Sequence, residues 1–216
     1  MLFEVLTGER VFLISDTHFY HSKICSGSEV HFEKARHYNT PDEMNADIIR
    51  KWNNKITNND VVVFLGDFLM NCSIKETLDK FKAIFKHLNC KKIYMIKGNH
   101  DSVLFKQIRK FVKDNPDSTE FDRIALVDHC MVFTYGDRNF ICQHRDFSTS
   151  EEGDQYVLNS MEESKEFMSV ENPIYLHGHT HSDVKISEFE FNGQLHEQYN
   201  LCWEAHNDVV NLKEIV

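Results

Sequence analysis

Pro173-Ile174-Tyr175-Leu176-His177-Gly178-His179-Thr180-His181 decides how this chain is read, because an apolar run ends there in three alternating imidazoles around a glycine. In an extended segment alternate side chains share a face, so His179 and His181 can meet one point while Gly178 lets the backbone turn beneath them. Taken alone, the stretch favours a plainer reading, a strand end with solvated histidines. It does not stand alone. Asp16-Thr17-His18, Gly66-Asp67, Gly98-Asn99-His100-Asp101 and His144 each follow an apolar run as well, and each offers nitrogen or oxygen ligands at a strand's exit.

The chain's 216 residues suffice for one sizeable core, and no Pro/Gly/Ser-rich linker interrupts them, so residues 1–216 are expected to form a single domain. With 41% apolar residues and 17 phenylalanines that core is well supplied. No apolar run approaches the roughly 20 residues that span a bilayer, which argues against a membrane protein. Met1 to Arg10 lacks the basic start and small-residue cleavage site of a secretory signal. Six cysteines without a C-x-x-C pair fit reduced thiols, and together these features point to the cytoplasm. Thirty-four acidic residues against 24 basic ones give a formal charge of −10, which disfavours long nucleic acid and leaves small phosphate esters as the easier substrates.

Val11 to Ser15 is expected as a buried strand delivering Asp16 and His18. Phe19 to Asn39, with Tyr20, His21, His31 and His37, has little periodicity and is expected as an active-site insertion outside the core. Thr40-Pro41-Asp42-Glu43 is a capping box opening a helix to about Lys55, and Ser73 to Glu76 opens a second whose stripe is Leu78, Phe81, Ile84, Phe85 and Leu88. Asp60 to Leu65 and Lys92 to Ile96 are further buried strands. A helix from about Ser102 to Lys113 follows, with Asp101 favoured as its N-cap over the alternative of a hydrogen-bonding partner that supports a metal ligand. The pattern then turns to hairpins: Met131 to Tyr135 with Asn139 to Gln143, and Val184 to Phe191 with Gln194 to Cys202 across Asn192-Gly193. The acidic stretch from Ser150 to Met168 is expected to be a weakly helical cover near the site. Half crossover and half hairpin, the chain reads as α/β, two mixed sheets packed as a sandwich flanked by helices.

The ordered set Asp16-x-His18, Gly66-Asp67, Gly98-Asn99-His100-Asp101, His144 and Gly178-His179-x-His181 resembles the five motifs of the calcineurin-like metallophosphoesterases. Its opening, Asp16-Thr17-His18-Phe19-x-His21, is similar to that of a small bacterial and phage subgroup. The resemblance implies two divalent cations, manganese first among manganese, iron, zinc and nickel. Asp16, His18, Asp67 and His181 would hold one; Asp67, Asn99, His144 and His179 would hold the other. Two cations about 3.5 to 4 Å apart need a bridging carboxylate, and Asp67 suits that place. A bridging hydroxide would attack phosphorus in line. His100 lies outside the family's ligand set and is left free to act as general acid. His21 and Arg145 are candidate substrate contacts, although Gln143-His144-Arg145-Asp146 departs from many relatives, which follow that histidine with an aromatic or small residue and proline. His177 is expected to be structural, and His129, His196 and His206 to be surface or strand histidines.

The expectation is therefore a dinuclear-metal phosphodiesterase acting on a cyclic or small nucleotide rather than a phosphoprotein. A retained histidine after Gly98-Asn99 favours diesters, since an alkoxide leaving group gains most from a proton donor. Phe68-Leu69-Met70-Asn71 lacks the arginine with which the family's protein phosphatases grip phosphate. The alternatives are a nuclease or phosphomonoesterase on the same site, and a non-catalytic metal-binding scaffold of the same fold. The scaffold would be expected to have lost a ligand or the acid.

Overall fold

The computed structural model describes residues 1–26, 36–148, 170–191 and 193–215. His31, Asn192 and the acidic stretch from Ser150 to Met168 lie outside the described residues.

Three strands that open at Val11, Val61 and Lys92 carry side chains that, after Lys92 itself, are buried in succession, as in strands covered on both faces. These are β2 (Val11–Ile14), β3 (Val61–Phe64) and β4 (Lys92–Ile96), and they pair in parallel with β5 (Ile124–Val127). A two-residue antiparallel edge, β11 (Val210–Asn211), completes a five-stranded sheet in the order β11-β2-β3-β4-β5. The second sheet has six strands, ordered β1-β6-β7-β8-β10-β9. They are β1 (Leu2–Leu6), β6 (Cys130–Tyr135), β7 (Arg138–Gln143), β8 (Ile174–His177), β9 (Ile186–Phe191) and β10 (Gln194–Asn200).

Alternation along the buried strands sorts side chains into two cores. Leu13, Val63, Leu65, Tyr94 and Ile96 face the six-stranded sheet and pack with Met131, Phe133, Phe140, Cys142 and Leu176. Their neighbours Phe12, Ile14, Val62, Phe64, Ile93 and Met95 face the helices. There α2 (Pro41–Lys55) contributes Met44, Ile48 and Trp52, α3 (Thr77–Phe85) contributes Phe81, Ile84 and Phe85, and α4 (Ser102–Asp114) contributes Leu104, Phe105 and Ile108. A smaller cluster around Phe147, Tyr175 and Phe189 covers the outer face of the six-stranded sheet. The architecture is α/β, two mixed sheets flanked by helices, as expected.

Several local expectations need correction. Within Phe19 to Asn39, the described residues 19–26 are not outside the core: α1 (Ser22–Ser26) lies there, and Phe19, Ile24 and Cys25 are buried, with the Phe19 ring 5.0 Å from that of Phe68. The helix expected from Ser73 begins at Thr77 after a turn over 74–76, although Glu76 Oε2 accepts from the Ser73 N–H at 3.2 Å and from its hydroxyl at 2.6 Å, the Glu half of the expected capping box. The last hairpin starts at Ile186 and ends at Asn200, with Cys202 reduced to an isolated bridge to Ser15. At Thr40 the cap is as expected, its Oγ1 accepting from the Glu43 N–H at 3.1 Å, while Glu43 reaches back to the N–H of Asn39.

Candidate metal centre

Both sheets end their parallel strands at one rim, and the loops leaving that rim carry every residue singled out at the strand exits. Asp16 and His18 leave β2, Asp67 leaves β3, and Asn99 and His100 leave β4. His144 leaves β7, and His179 and His181 leave β8. Asp16, His18, Asp67, His179 and His181 all have positive φ, between 45° and 69°. That left-handed conformation is uncommon for residues other than glycine and costs free energy, so its concentration at one rim marks a functional constraint on the loops.

Two clusters result: Asp16, His18 and His181, and Asp67, His144 and His179, each able to bring one ligand atom per residue within 4.8 Å of the others. In the first, His18 Nε2 and His181 Nε2 are 3.1 Å apart and each lies 3.6 Å from Asp16 Oδ1. In the second, His144 Nε2 is 3.2 Å from His179 Nδ1, 3.4 Å from Asp67 Oδ2 and 2.9 Å from Asn99 Oδ1. Asp67 Oδ2 also lies 3.6 Å from His18 Nε2, so this one oxygen faces both clusters. The donors suit divalent cations. Asp16 Oδ1 is buried and accepts no hydrogen bond, a costly state for a carboxylate oxygen unless a cation meets it.

Electrostatics agree with that fit. Burial alone would raise the Asp16 carboxyl, yet the imidazoles of His144, His18 and His181 hold it well below its ordinary value. His144 would be lowered by burial, but Asp16 and Asp67 hold it up at about 9, so in the metal-free chain it carries a proton that a cation must displace. Its Nδ1 donates to the Leu65 carbonyl at 2.7 Å, which turns Nε2 toward the cluster.

Close packing of backbone makes the geometry possible. A Cβ on Gly66, which has φ +98°, would fall 2.5 Å from His144 Nδ1 and 2.8 Å from the Gly98 backbone. One on Gly178 would lie 2.5 Å from Asp16 Oδ2, so both glycines are required by what touches them. Asp101 stands at the N-cap position of α4, as expected, but its side chain does not act as the cap. Its carboxylate makes no cap bond to α4 and instead accepts from the backbone nitrogens of Asp67 at 2.7 Å, Gly98 at 2.9 Å and Phe68 at 3.0 Å. Burial first, then the Asp67 charge, raise it to about 6 against the pull of those N–H groups.

A family model for the calcineurin-like phosphoesterases matches residues 9–210. The chain belongs to that family. It is also 34% identical over 96 residues to MJ1445, an uncharacterised protein of Methanocaldococcus jannaschii, across 44% of this chain and 49% of that protein, about half the relative's length. Among solved structures, AQ665 of Aquifex aeolicus, a protein of unknown function, superposes with TM-score 0.58 and 20% identity over 96% of this chain and 98% of the other, which shows a shared fold. Vps29 of Cryptosporidium parvum gives TM-score 0.40 and 20% identity over 89% and 73%. The residues of both clusters fall within the region that the family model matches.

The remaining expected residues fall around the clusters. His100 lies at the rim with its side chain 38% exposed, Nε2 3.9 Å from Asp67 Oδ2, while its backbone N–H donates to Asp67 Oδ1 at 2.9 Å. His21 is buried, its ring 5.4 Å from that of His18, and burial first, then the His18 charge, lower it to about 3. Arg145 is half-buried beside His179, whose imidazole its charge helps keep neutral. His177 is buried with Nδ1 2.9 Å from the Gly178 carbonyl, a structural contact. Two residues carried no motif. Arg36 is buried, donates to the carbonyls of Asp16 at 2.5 Å and Thr17 at 2.7 Å, and pairs with Glu204, which sits 3.0 Å from His181 Nδ1. Glu204 belongs to the short helix α5 (Trp203–His206), and despite burial Arg36 and His181 hold its carboxyl at about 2. The arginine thus braces the strained turn at Asp16 and orients the His181 imidazole through the glutamate.

Proposed function

We propose that this phosphoesterase is a dinuclear-metal phosphodiesterase whose substrates are cyclic or other small nucleotide-type esters. The carrying observation is His100, a partly exposed imidazole at the rim beside the carboxylate oxygen that faces both clusters. Asp16, His18, Asp67 and His181 would hold one cation, and Asp67, Asn99, His144 and His179 the other. When bound, the pair supplies an activated water and offsets charge on the phosphoryl oxygens. His100 gives a proton to the departing oxygen and needs no ligand duty to be positioned, because its N–H is fixed on Asp67. Arg145 offers a fork-shaped donor to a phosphoryl oxygen. His21, packed against His18, supports that ring more readily than it meets substrate. Each cluster takes ligands from both sheets, which favours one domain. Six free thiols favour the cytoplasm, and no helix among the described residues is long and apolar enough to cross a membrane.

His100→Ala tests the reading. The variant should retain both metals while losing roughly 10² to 10⁴ in turnover on alkyl or nucleoside diesters, and much less on a nitrophenyl diester, whose leaving group departs without a proton. Equal losses on both esters, or loss of metal by elemental analysis, would make His100 a ligand or a positioning group instead.

A further inference from the structure

The two oxygens of Asp16 have opposite surroundings. Oδ1 accepts no hydrogen bond and faces the imidazoles of His18 and His181. Oδ2 accepts three: the Ser15 hydroxyl at 2.5 Å, the His179 N–H at 2.8 Å and the Cys202 thiol at 3.2 Å. These donors arrive from separate segments, Ser15 directly after β2, His179 from the loop after β8, and Cys202 just ahead of α5. Backbone bonds hold two of them together: the Ser15 N–H donates to the Leu201 carbonyl at 2.9 Å, and the Trp203 N–H to the Ser15 carbonyl at 3.2 Å. Each side-chain donor has one proton to give. Ser15 Oγ also lies 3.0 Å from the Leu65 carbonyl, and Cys202 Sγ lies 3.9 Å from Thr180 Oγ1. In both cases the carboxylate is the nearer acceptor and the charged one, so it takes the proton.

We propose that Ser15 and Cys202 are positioning residues that make Asp16 a one-oxygen ligand, and that they thereby tune the first cluster toward a first-row cation such as manganese and against calcium. The proposal rests on Asp16 being a ligand, as in the reading above, and deepens it. A carboxylate oxygen has lone pairs for about two partners, so three donors leave Oδ2 nothing to offer a cation. Calcium gathers about six to eight oxygens and can take a carboxylate through both of its atoms. Here it would meet one oxygen of Asp16 and two imidazoles. A first-row cation accepts mixed nitrogen and oxygen donors in smaller number, and it gains an oxygen already held in place. Ser15, Asp16 and Cys202 are buried, so no water stands ready to replace a missing donor. Asp67 divides its oxygens in the same way, Oδ1 accepting the His100 N–H while Oδ2 faces both clusters, but there the donor is backbone. At Asp16 the donors are side chains and can be removed.

Metal-stripped protein can be titrated with manganese and, separately, with calcium, binding being followed by calorimetry and free manganese by its electron paramagnetic resonance signal. Ser15→Ala and Cys202→Ala should each weaken manganese at one site by about 10- to 100-fold and leave the other site as it is. Calcium should lose less, so the preference for manganese falls. Cys202→Ser, which keeps a donor, should stay near wild type, and circular dichroism in chelator should show all variants folded. Asp16→Asn identifies the site: it should weaken the same one, and adding either alanine substitution to it should cost little more, as expected of residues that act through one carboxylate. Unchanged manganese affinity in both alanine variants, or equal losses for the two cations, overturns the proposal and leaves Asp16 a ligand. A Cys202→Ser variant that loses as much as Cys202→Ala makes the sulfur a packing group and overturns its part. Manganese bound by Asp16→Asn at both sites as tightly as by wild type removes Asp16 from the ligands and this proposal with it.

Discussion

One carboxylate, that of Asp101, holds together the two loops that present Asp67 and Asn99, since it accepts N–H groups from both. Replacing it with asparagine changes one acceptor oxygen into an amide nitrogen that must face a backbone donor. Asp101→Asn should therefore destabilise the metal-free protein by about 1–3 kcal/mol, the cost of an unsatisfied buried group. Urea denaturation checks this; a variant as stable as wild type would mean the three N–H groups find other acceptors. At this scale the sequence was most informative where chemistry is written in residue type. Histidine, aspartate and asparagine directly after apolar runs announced the clusters. Arg36 and Glu204 announced nothing, because they are 168 positions apart and each is an ordinary charged residue until folding buries them as a pair. Sequence weights Asp101 the wrong way for a related reason: an aspartate before a helix is a usual cap, and only the approach of two loops gives its oxygens better partners than the helix it precedes.

Elements were legible in proportion to their burial. β2, β3 and β4, covered on both faces, carry apolar runs that no helix period mimics at that length. β1 escaped notice because it is an edge strand whose partly exposed side contains Phe3 and Val5 around Glu4, and β11 because two residues make no pattern. Ion pairing fixes where one of these strands starts. Asp60, just before β3, accepts from Arg10 Nε at 2.9 Å, from Arg10 Nη2 at 2.6 Å, and from the N–H and hydroxyl of Thr57 at 2.6 and 2.7 Å. Burial pushes its carboxyl up, but these donors outweigh burial and lower it. A folded-state value below the unfolded one adds stability above the unfolded value, and that stability is lost as pH falls through the folded value. Asp60→Asn should thus cost about 1–3 kcal/mol near neutral pH. The gap to wild type should close as pH drops below about 4. Denaturation curves with a gap constant down to pH 3 would show that the charge on Asp60 is immaterial.

The whole molecule is two sheets whose packed faces are apolar throughout, joined at one rim by polar groups alone. Asp16, His18 and Asp67 come from the five-stranded sheet, and His144, His179 and His181 from the six-stranded one, so each cluster contains candidate ligands from both. A cation in either cluster would tie the sheets together across the core formed by Leu13, Val63, Phe133 and Leu176. Unfolding separates the ligands, so binding free energy becomes folding free energy, about 2.7 kcal/mol per site at a free concentration 100 times the dissociation constant. Chelator should lower the melting temperature, and manganese should restore it in proportion to occupancy. Asp67→Asn, which alters the only carboxylate facing both clusters among the described residues, should bind less metal at both and lose most of that thermal response. Asp16→Asn should lose only the part that belongs to its own cluster. The two variants separate a shared bridge from two independent sites. If Asp67→Asn keeps one fully occupied ion and half of the metal-linked stabilisation, Asp67 serves a single cation, and the centre is two neighbouring sites without a bridge.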